Sequence, residues 1–370
     1  MRRAKQRLAI LSIVIASLAA TEVFLRNFYP QQTVYVPPRS PVFKEGDYFS
    51  WRLLERSRGG FQAGLLQVNS LGYRGAEFAA EKGDAIRILA VGDEATFGWG
   101  GNDDESYPAQ LQTLLTARFP AKRWQVINAG LAAGDAPDTY YLYLKREGLA
   151  LEPDVILVGL FVRDDLDSDA ASRHEWIEQD ADGLPLRIRD ADSEVADNHL
   201  VPRRLPFRYR APLLSRSHMF QRLVDFVSAL APSPPDHEVP FNYRLTYADR
   251  TETAFARVRK LLAAMNDMAQ ARGIRLCVLI IPERVQMDPR AFAGRQADTE
   301  RPQKVLREFF DREGIQYLDL LAPLREMSGG RSIHLEWLGV PDPTGVPDPL
   351  GNYLIAEHTV GVLAKEWIPR

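Results

Sequence analysis

The sequence predicts an α/β fold, a three-layer, doubly wound parallel sheet, preceded by a transmembrane helix at the N-terminus. From Ile86 onward, short apolar runs alternate with amphipathic stretches, as strands and helices do around a parallel sheet. The run Asp154–Leu160 is almost wholly apolar, which is typical of a central strand covered by helices on both faces. Leu8–Leu25 is an apolar run of 18 residues, just long enough to cross a bilayer.

Five strands and five helices are predicted in alternation. The strands are Ile86–Val91, Trp124–Asn128, Asp154–Leu160, Ile274–Ile281 and Ile315–Leu318. The helices are Ser106–Phe119, Pro137–Leu149, Thr251–Arg272, Gln303–Glu313 and Gly351–Trp367. Residues 166–245 break this alternation, because they are rich in Asp, Arg and Pro and contain one helix-like piece, Leu213–Leu230. We expect an insertion there, between the third and fourth strands.

The N-terminus has the charge pattern of a membrane anchor. Four cations, Arg2, Arg3, Lys5 and Arg7, precede the apolar run, and Glu22 is its one acid. Cations before an apolar run predict a cytoplasmic N-terminus and a translocated remainder. A cleaved signal peptide, ending near Ser17-Leu18-Ala19, is the alternative; the run is longer than a usual signal core, which favours a retained anchor.

Three regions are therefore predicted. Residues 1–27 form the anchor, the proline-containing residues 28–60 form a stalk and lead-in, and residues 61–370 form the α/β domain.

Composition excludes several classes of function. Apolar residues make up 45% and charged residues 26% of the 370, as in ordinary globular proteins. A net charge of −3 provides no basic surface for nucleic acid. The one cysteine, Cys277, excludes an intramolecular disulfide, a multi-cysteine metal site and an N-terminal lipid anchor, and its apolar neighbours predict burial.

Four sequence blocks carry the functional signal. The first predicted strand runs into Gly92–Gly98 (GDEATFG), a strand-to-helix turn at the sheet edge where open parallel sheets bind ligands. The other blocks are Asn69–Gly75 (NSLGYRG), Asn128–Gly134 (NAGLAAG) and Pro153–Asp165 (PDVILVGLFVRDD). In order and spacing, the blocks resemble the SGNH (GDSL-type) hydrolases, especially their bacterial membrane-anchored branch. The resemblance covers roughly residues 60–370 and implies a flavodoxin-like sheet.

Three catalytic positions depart from the family pattern. Glu94 stands where the family has its nucleophilic serine, and Asp164 stands where it has an asparagine. The resemblance assigns an oxyanion-binding backbone N–H to Gly134, with Gly130 as the alternate. The family's C-terminal block corresponds here to Val340–Tyr353. When this segment is aligned on Gly351, the position of the family histidine falls at Val346.

No histidine fits the position of the catalytic base. Alignment on Asp342 moves the position to Gly345, which again supplies no imidazole. His334 is too far upstream and His358 lies two turns into the last predicted helix. The other four, in the insertion, lack metal-ligand spacing: His174, His199, His218 and His237.

These replacements argue against the family's acyl-transfer mechanism. Loss of a nucleophile or base typically lowers the rate about a million-fold, and a carboxylate at position 164 would repel the oxyanion. A carboxylate cluster of Asp93, Glu94, Asp164 and Asp165 offers two replacement chemistries: binding of Ca²⁺ or Mg²⁺, or acid–base catalysis by a carboxylate pair. We favour a structural interpretation, in which Asp93 and Asp165 bind turn amides. Thr96 matches a threonine of active relatives and is predicted to be structural.

The sequence thus predicts an inactive, membrane-anchored protein that serves as a binding or structural subunit of a membrane or envelope complex. We expect no cofactor, a bacterial inner-membrane location with a periplasmic domain, and a protein or polysaccharide partner beside the membrane itself. The candidate partner surface is Arg203, Arg204, Phe207, Arg208 and Tyr209, which a solvated or lipid-proximal loop explains equally well. The alternative is an envelope esterase or O-acetyltransferase with a non-standard site.

Overall fold

The chain divides into two compact units. A smaller unit combines Met1–Pro37 with Val201–Glu238, and a larger unit combines Pro38–Leu200 with Val239–Arg370. The computed structural model describes residues 2–31, 42–49, 51–61, 64–131, 136–163, 165–166, 177–189, 193–205, 207–210, 214–230, 239–288, 290, 292, 294–337, 340–341 and 345–366.

Strands and helices are numbered along the chain. The strands are β1 (Phe43–Glu45), β2 (Trp51–Leu53), β3 (Arg58–Phe61), β4 (Gly64–Gln67), β5 (Ile86–Gly92), β6 (Trp124–Gly130), β7 (Val155–Phe161), β8 (Ile177–Gln179), β9 (Pro185–Ile188), β10 (Ser193–Ala196), β11 (His199–Pro202), β12 (Arg275–Ile281), β13 (Gln316–Asp319), β14 (Glu336–Trp337) and β15 (Val340–Pro341). The helices are α1 (Arg2–Phe28), α2 (Glu94–Phe97), α3 (Tyr107–Arg118), α4 (Pro137–Arg146), α5 (Phe207–Arg210), α6 (His218–Leu230), α7 (Asp249–Gln270), α8 (Arg284–Met287), α9 (Arg301–Glu313), α10 (Leu321–Ser328) and α11 (Pro349–Glu366).

The larger unit is built on a five-stranded parallel sheet in the order β13-β12-β7-β5-β6. The chain leaves β5 for β6 on one side and then crosses to β7 on the other. The winding direction therefore reverses at β5, which is the switch point of a doubly wound sheet. All five strands that the sequence predicts are present, within a few residues of their expected bounds.

Helices cover both faces of this sheet. Alternate side chains of β5 enter different cores: Ile88 and Ala90 join one cluster, whereas Leu89 and Val91 join the other. The first cluster includes α3 and α11 through Leu111, Leu115, Leu354 and Ile355. The second includes α4, α7 and α9 through Tyr140, Phe255 and Leu306. The chain therefore has the predicted three-layer α/β fold.

Within the predicted stalk and lead-in, residues 28–60, the part around β1 and β2 packs into the core of the larger unit. Val42, Phe43 and Trp51 are almost completely buried in the first cluster, and β1 pairs with β2. The proline content suggests an extended stalk, but these three large apolar side chains gain more from burial than an exposed stalk would allow.

The predicted insertion contains more regular structure than its composition suggests. Two antiparallel pairs, β8–β9 and β10–β11, precede α5 and α6. The predicted helix Leu213–Leu230 begins later, at His218, and the 3₁₀ turn Leu214–Arg216 comes before it.

The smaller unit contains the N-terminal helix and the two helices of the insertion. Within Lys5–Phe28 of α1, the most apolar window of 18 residues has a mean hydropathy of 2.3, and none of that window is buried. The buried Gln221 amide donates to the carbonyls of Arg208 and Ser215, each at 2.9 Å, and so ties α6 to the segment before it.

Candidate active site

The turn after β5 places Asp93 and Glu94 at the carboxyl edge of the sheet. Asp93 is fully buried and caps α2, because its Oδ1 accepts the Ala95 N–H at 2.9 Å. Glu94 is the first residue of α2 and is partly exposed. A carboxylate therefore faces outward at the position where the resemblance places the nucleophile, and an acid at a helix N-terminus is electrostatically stabilised there.

Thr96 points away from any substrate. Its hydroxyl lies 3.2 Å from the phenol oxygen of the buried Tyr107. It also presses against two glycines: a Cβ at Gly92 would lie 2.1 Å from the threonine Oγ1, and a Cβ at Gly159 would lie 2.2 Å from it. The threonine thus fills the space that these two strands leave beneath the turn, as the structural prediction for it requires.

Arg74, from the block Asn69–Gly75, supports the turn through hydrogen bonds to the loop that follows it. Its guanidinium is buried and donates to the carbonyls of Phe97 (2.8 Å), Gly98 (2.7 Å) and Gly101 (2.7 Å). Its Nε donates to Asp103 at 3.0 Å. The guanidinium carbon also lies 4.7 Å from the centre of the Phe97 ring. One side chain therefore satisfies three carbonyls of the loop that follows the catalytic position, a role the resemblance alone does not reveal.

Asn128 completes this support and removes one predicted oxyanion donor. Its amide nitrogen lies 3.2 Å from the Phe97 carbonyl, and its Oδ1 accepts the Gly130 N–H at 3.0 Å. The next amide, of Leu131, donates to the Gly92 carbonyl at 2.8 Å. Because the Gly130 N–H is occupied, Gly130 does not fit the alternate oxyanion role. The preferred donor, Gly134, lies outside the described residues.

The histidine position is part of the hydrophobic core. Val346 is 1% exposed and belongs to the first core cluster. Gly345, the position in the other alignment, has φ of +64° and a Cβ there would lie 3.3 Å from the Arg163 guanidinium. An L-residue with a large side chain is strained at that φ. In neither alignment can an imidazole be accommodated without a change in core packing or in backbone conformation.

His334, the nearest upstream histidine, is buried in a structural position. One ring nitrogen contacts the Pro282 carbonyl at 3.2 Å. Burial lowers the pKa of His334 from 6.5 to about 4, so the ring is neutral at physiological pH. Its backbone pairs with Pro347 in an isolated antiparallel bridge. The backbone next to this ring therefore pairs with the segment that contains Val346.

Asp165 is also a structural acid. It is 1% exposed, and its carboxylate accepts the Tyr140 hydroxyl at 2.7 Å and the Phe161 N–H at 2.8 Å. These are turn contacts of the kind that the structural interpretation of Asp93 and Asp165 predicts. Among the described residues, no group of three or more His, Cys, Asp and Glu side chains could hold a metal ion. The four-carboxylate cluster includes Asp164, which lies outside those residues, so it stays a prediction.

A buried acid that the motifs do not indicate lies at the end of β12. Glu283 is 9% exposed and accepts a hydrogen bond from the Tyr243 hydroxyl. Burial raises the pKa of the Glu283 carboxyl above its usual value. Its one sequence signal is an acid directly after the apolar strand Arg275–Ile281.

Two of the cavities that the described residues line lie next to the sheet, and Glu94 lines neither of them. A cavity of about 50 Å³ beside Gly130 and Leu131 has room for little more than a water molecule. A cavity of about 490 Å³ opens at the amino ends of the strands, next to Trp124 and Arg275, at the edge opposite the turn. Ligands of doubly wound sheets bind at the carboxyl edge, so the larger cavity is not a candidate catalytic pocket.

Solved structures similar to this chain include an alpha/beta hydrolase and an acetyl xylan esterase. The alpha/beta hydrolase enzyme LAE5 from the metagenome of Lake Arreo, Spain, is 14% identical, with a TM-score of 0.42 over 75% of this chain and 94% of its own. A variant of the acetylxylan esterase Axe2 from Geobacillus stearothermophilus is 13% identical, with a TM-score of 0.42 over 78% and 99%. TesA is 15% identical, with a TM-score of 0.40 over 75% and 98%. Neither a family model nor a curated protein matches the sequence.

These likenesses, at identities of 13–15%, concern the fold alone.

The structure describes three of the positions that the sequence resemblance assigns to acyl transfer. That reaction needs a hydroxyl nucleophile, a base in hydrogen-bond reach and donors aimed at the oxyanion. At these positions lie the carboxylate of Glu94, the buried aliphatic side chain of Val346, and the N–H of Gly130, which already donates a hydrogen bond to Asn128.

The predicted partner surface is located in the smaller unit. Arg203, Arg204 and Phe207 are exposed, while Arg208 is partly buried and pairs with Asp225 at 2.7 Å. Tyr209 is partly exposed in α5.

Proposed function

We propose that this chain is a membrane-anchored, SGNH-hydrolase-like protein without hydrolase activity, which acts as a binding or structural subunit of a membrane or envelope complex. The observation that carries the proposal is the burial of Val346 in the core at the position of the catalytic base. Because the base position belongs to the hydrophobic core, an imidazole there requires repacking of the core as well as a substitution. The carboxylate of Glu94 at the nucleophile position supports the same conclusion.

The anchor and its orientation are part of the proposal. Lys5–Phe28 is long and apolar enough to cross a membrane, and four cations precede its apolar core. That charge pattern supports a bacterial inner-membrane protein with a cytoplasmic N-terminus and a periplasmic α/β domain. Protease treatment of spheroplasts tests this orientation: the α/β domain should be digested without lysis.

Ester hydrolysis by the purified full-length protein tests the proposed inactivity. We expect hydrolysis of 4-nitrophenyl acetate at the rate of buffer alone, for the wild type and for Glu94→Ala. An envelope esterase or O-acetyltransferase with a non-standard site is the rival. It would hydrolyse the ester above background, and Glu94→Ala would abolish that activity.

Affinity purification of the full-length chain from detergent-solubilised membranes tests the subunit role. We expect one protein to co-purify at a fixed ratio to the chain. Recovery of the chain alone, at native expression levels and in mild detergent, would contradict a subunit role.

A further inference from the structure

Helix α6 presents an apolar stripe that no described part of the chain covers. Leu223, Phe226 and Val227 are 56%, 61% and 57% exposed. Their spacing of three and four residues puts them on one side of the helix. Phe207, 61% exposed, extends the stripe, because its ring packs against Phe220 of α6.

The N-terminus of α6 is hydrogen-bonded to the apolar helix α1 of the same unit. The Glu22 carboxylate accepts the backbone N–H groups of His218 at 3.0 Å and Met219 at 2.9 Å, and the Ser217 hydroxyl at 2.8 Å. The Gln31 N–H donates to the His218 ring at 2.7 Å. A single carboxylate of the apolar helix thus accepts two of the free amides at the start of α6.

These contacts fix the depth of α6 relative to α1. Glu22 lies six residues before the end of α1 at Phe28, which corresponds to about 9 Å along a helix. A helix of α1's length that crosses a bilayer puts this position near the boundary between acyl chains and head groups. The first turn of α6 must lie at the same depth, because it is bonded to Glu22.

The charge around α6 fits a layer of lipid phosphates. Residues 201–230 contain one acid, Asp225, and six arginines: Arg203, Arg204, Arg208, Arg210, Arg216 and Arg222. The guanidinium group binds phosphate oxygens in a bidentate manner. Arg222 directly precedes Leu223 and is exposed, so its long side chain can reach the head groups while the stripe faces the acyl chains.

We infer that α6 is an interfacial helix: it lies in the head-group layer of the membrane that α1 crosses, with Leu223, Phe226 and Val227 among the acyl chains. The inference rests on the membrane anchor of the proposed function. It assigns a lipid surface, rather than a protein, to the aromatic and arginine-rich segment Arg203–Tyr209 and to α6. It also explains the acid in an otherwise apolar helix, since Glu22 holds α6 at the membrane surface.

Site-directed spin labelling of the full-length protein tests this location. The background replaces the buried Cys277 with alanine. Single cysteines are placed at Ile13 in the middle of α1, at Leu223 and Phe226 on the stripe, and at Leu245, a 48% exposed apolar residue of the larger unit. Each variant is labelled, reconstituted into phosphatidylethanolamine–phosphatidylglycerol vesicles and measured for accessibility to oxygen and to a water-soluble nickel chelate.

The inference predicts a graded result. The label at 13 should favour oxygen most strongly, the labels at 223 and 226 should also favour oxygen but at shallower depth, and the label at 245 should favour the nickel chelate. Two stripe positions are used so that one poorly folded variant does not decide the outcome.

Each other result overturns a different statement. Nickel access at 223 and 226 with a deep label at 13 would overturn the interfacial helix and leave the anchor intact. Low access of both reagents at 223 and 226 would place a protein, such as a second copy, on the stripe and overturn the inference. Nickel access at 13 would overturn the anchor itself, and the interfacial helix with it.

Discussion

The two sides of the turn after β5 use their motif residues differently. On the supporting side, Arg74, Asn128 and Thr96 are buried and hydrogen-bonded to the loop or to its neighbours. On the other side, Glu94 and Val346 stand at the positions that the sequence resemblance assigns to the nucleophile and the base. The difference teaches that the residues which build this turn are separable from those which perform chemistry on it. A sequence can keep all the residues that build the turn while it lacks the residues that perform chemistry there.

The supporting side should therefore be sensitive to substitution in its stability, and the other side much less so. Four tests, given in order of decreasing expected effect, can support or contradict this difference between the two sides of the turn.

Arg74→Ala should cause the largest loss. It removes the guanidinium from three loop carbonyls and from the partly buried Asp103, and the loss of one partner of a buried ion pair typically destabilises by about 3–5 kcal/mol. Thermal unfolding of the full-length protein in detergent measures it. Arg123→Ala is the matched control, because Arg123 forms an exposed pair with Asp84, worth less than about 1 kcal/mol. Equal losses in the two variants would contradict the supporting role of Arg74.

His334 should make stability fall in acid. Burial lowers its pKa to about 4 from 6.5, so the unfolded chain takes up this proton first as pH falls. Stability should therefore decrease between pH 6.5 and pH 4, by up to about 3 kcal/mol from this residue.

Melting temperatures at pH 7.5 and pH 4.5 measure the effect. The wild type should lose more stability than His334→Gln over this interval. His199→Gln, which replaces a partly exposed histidine, is the matched control. An identical pH dependence in His334→Gln and the wild type would show that the ring is not buried as described.

Gly159→Ala should destabilise the sheet beneath the turn. The new Cβ would lie 2.2 Å from the Thr96 Oγ1, and overpacking of a core typically costs about 1–3 kcal/mol. The added substitution Thr96→Ala should restore part of the loss, because it removes the colliding hydroxyl. Gly361→Ala is the control: it has open space in α11 and should stabilise by about 0.5–1 kcal/mol. Failure of Thr96→Ala to restore any stability would rule out this contact as the cause.

Glu94→Ala should have the smallest effect on stability. The side chain is partly exposed at the first residue of α2, where an acid is worth less than about 1 kcal/mol. Chemical denaturation of the wild type and the variant measures the difference. A loss as large as that of Arg74→Ala would mean that Glu94 has a supporting role, and the division between the two sides of the turn would not hold.

Much of the fold is readable from the sequence because parallel strands and amphipathic helices have distinct hydrophobic periods. The strand Ile274–Ile281 is one residue longer than the observed β12 (Arg275–Ile281). The lead-in was harder to read: Val42 and Phe43 follow a proline-containing stretch, the mostly polar residues 44–50 separate them from Trp51, and their burial depends on a core built from distant parts of the chain. Such long-range packing leaves no local period.

Sequence motifs predict which residues occupy the fixed positions of the candidate site. They do not predict properties of those residues that depend on tertiary contacts. The replacement of the serine position by Glu94 is visible directly in the sequence. The occupation of the Gly130 N–H by Asn128, the four bonds of Arg74 and the neutral state of His334 depend on three-dimensional neighbours. No spacing rule predicts them.

Covalent labelling of the folded full-length protein with a fluorophosphonate tests the central claim most directly. This reagent reacts with activated serine or threonine hydroxyls, irrespective of the natural acyl substrate. We predict no adduct by intact-mass spectrometry, because the nucleophile position holds Glu94 and Thr96 is bonded to Tyr107. A stoichiometric adduct on a hydroxyl of the larger unit, absent after heat denaturation, would contradict the account.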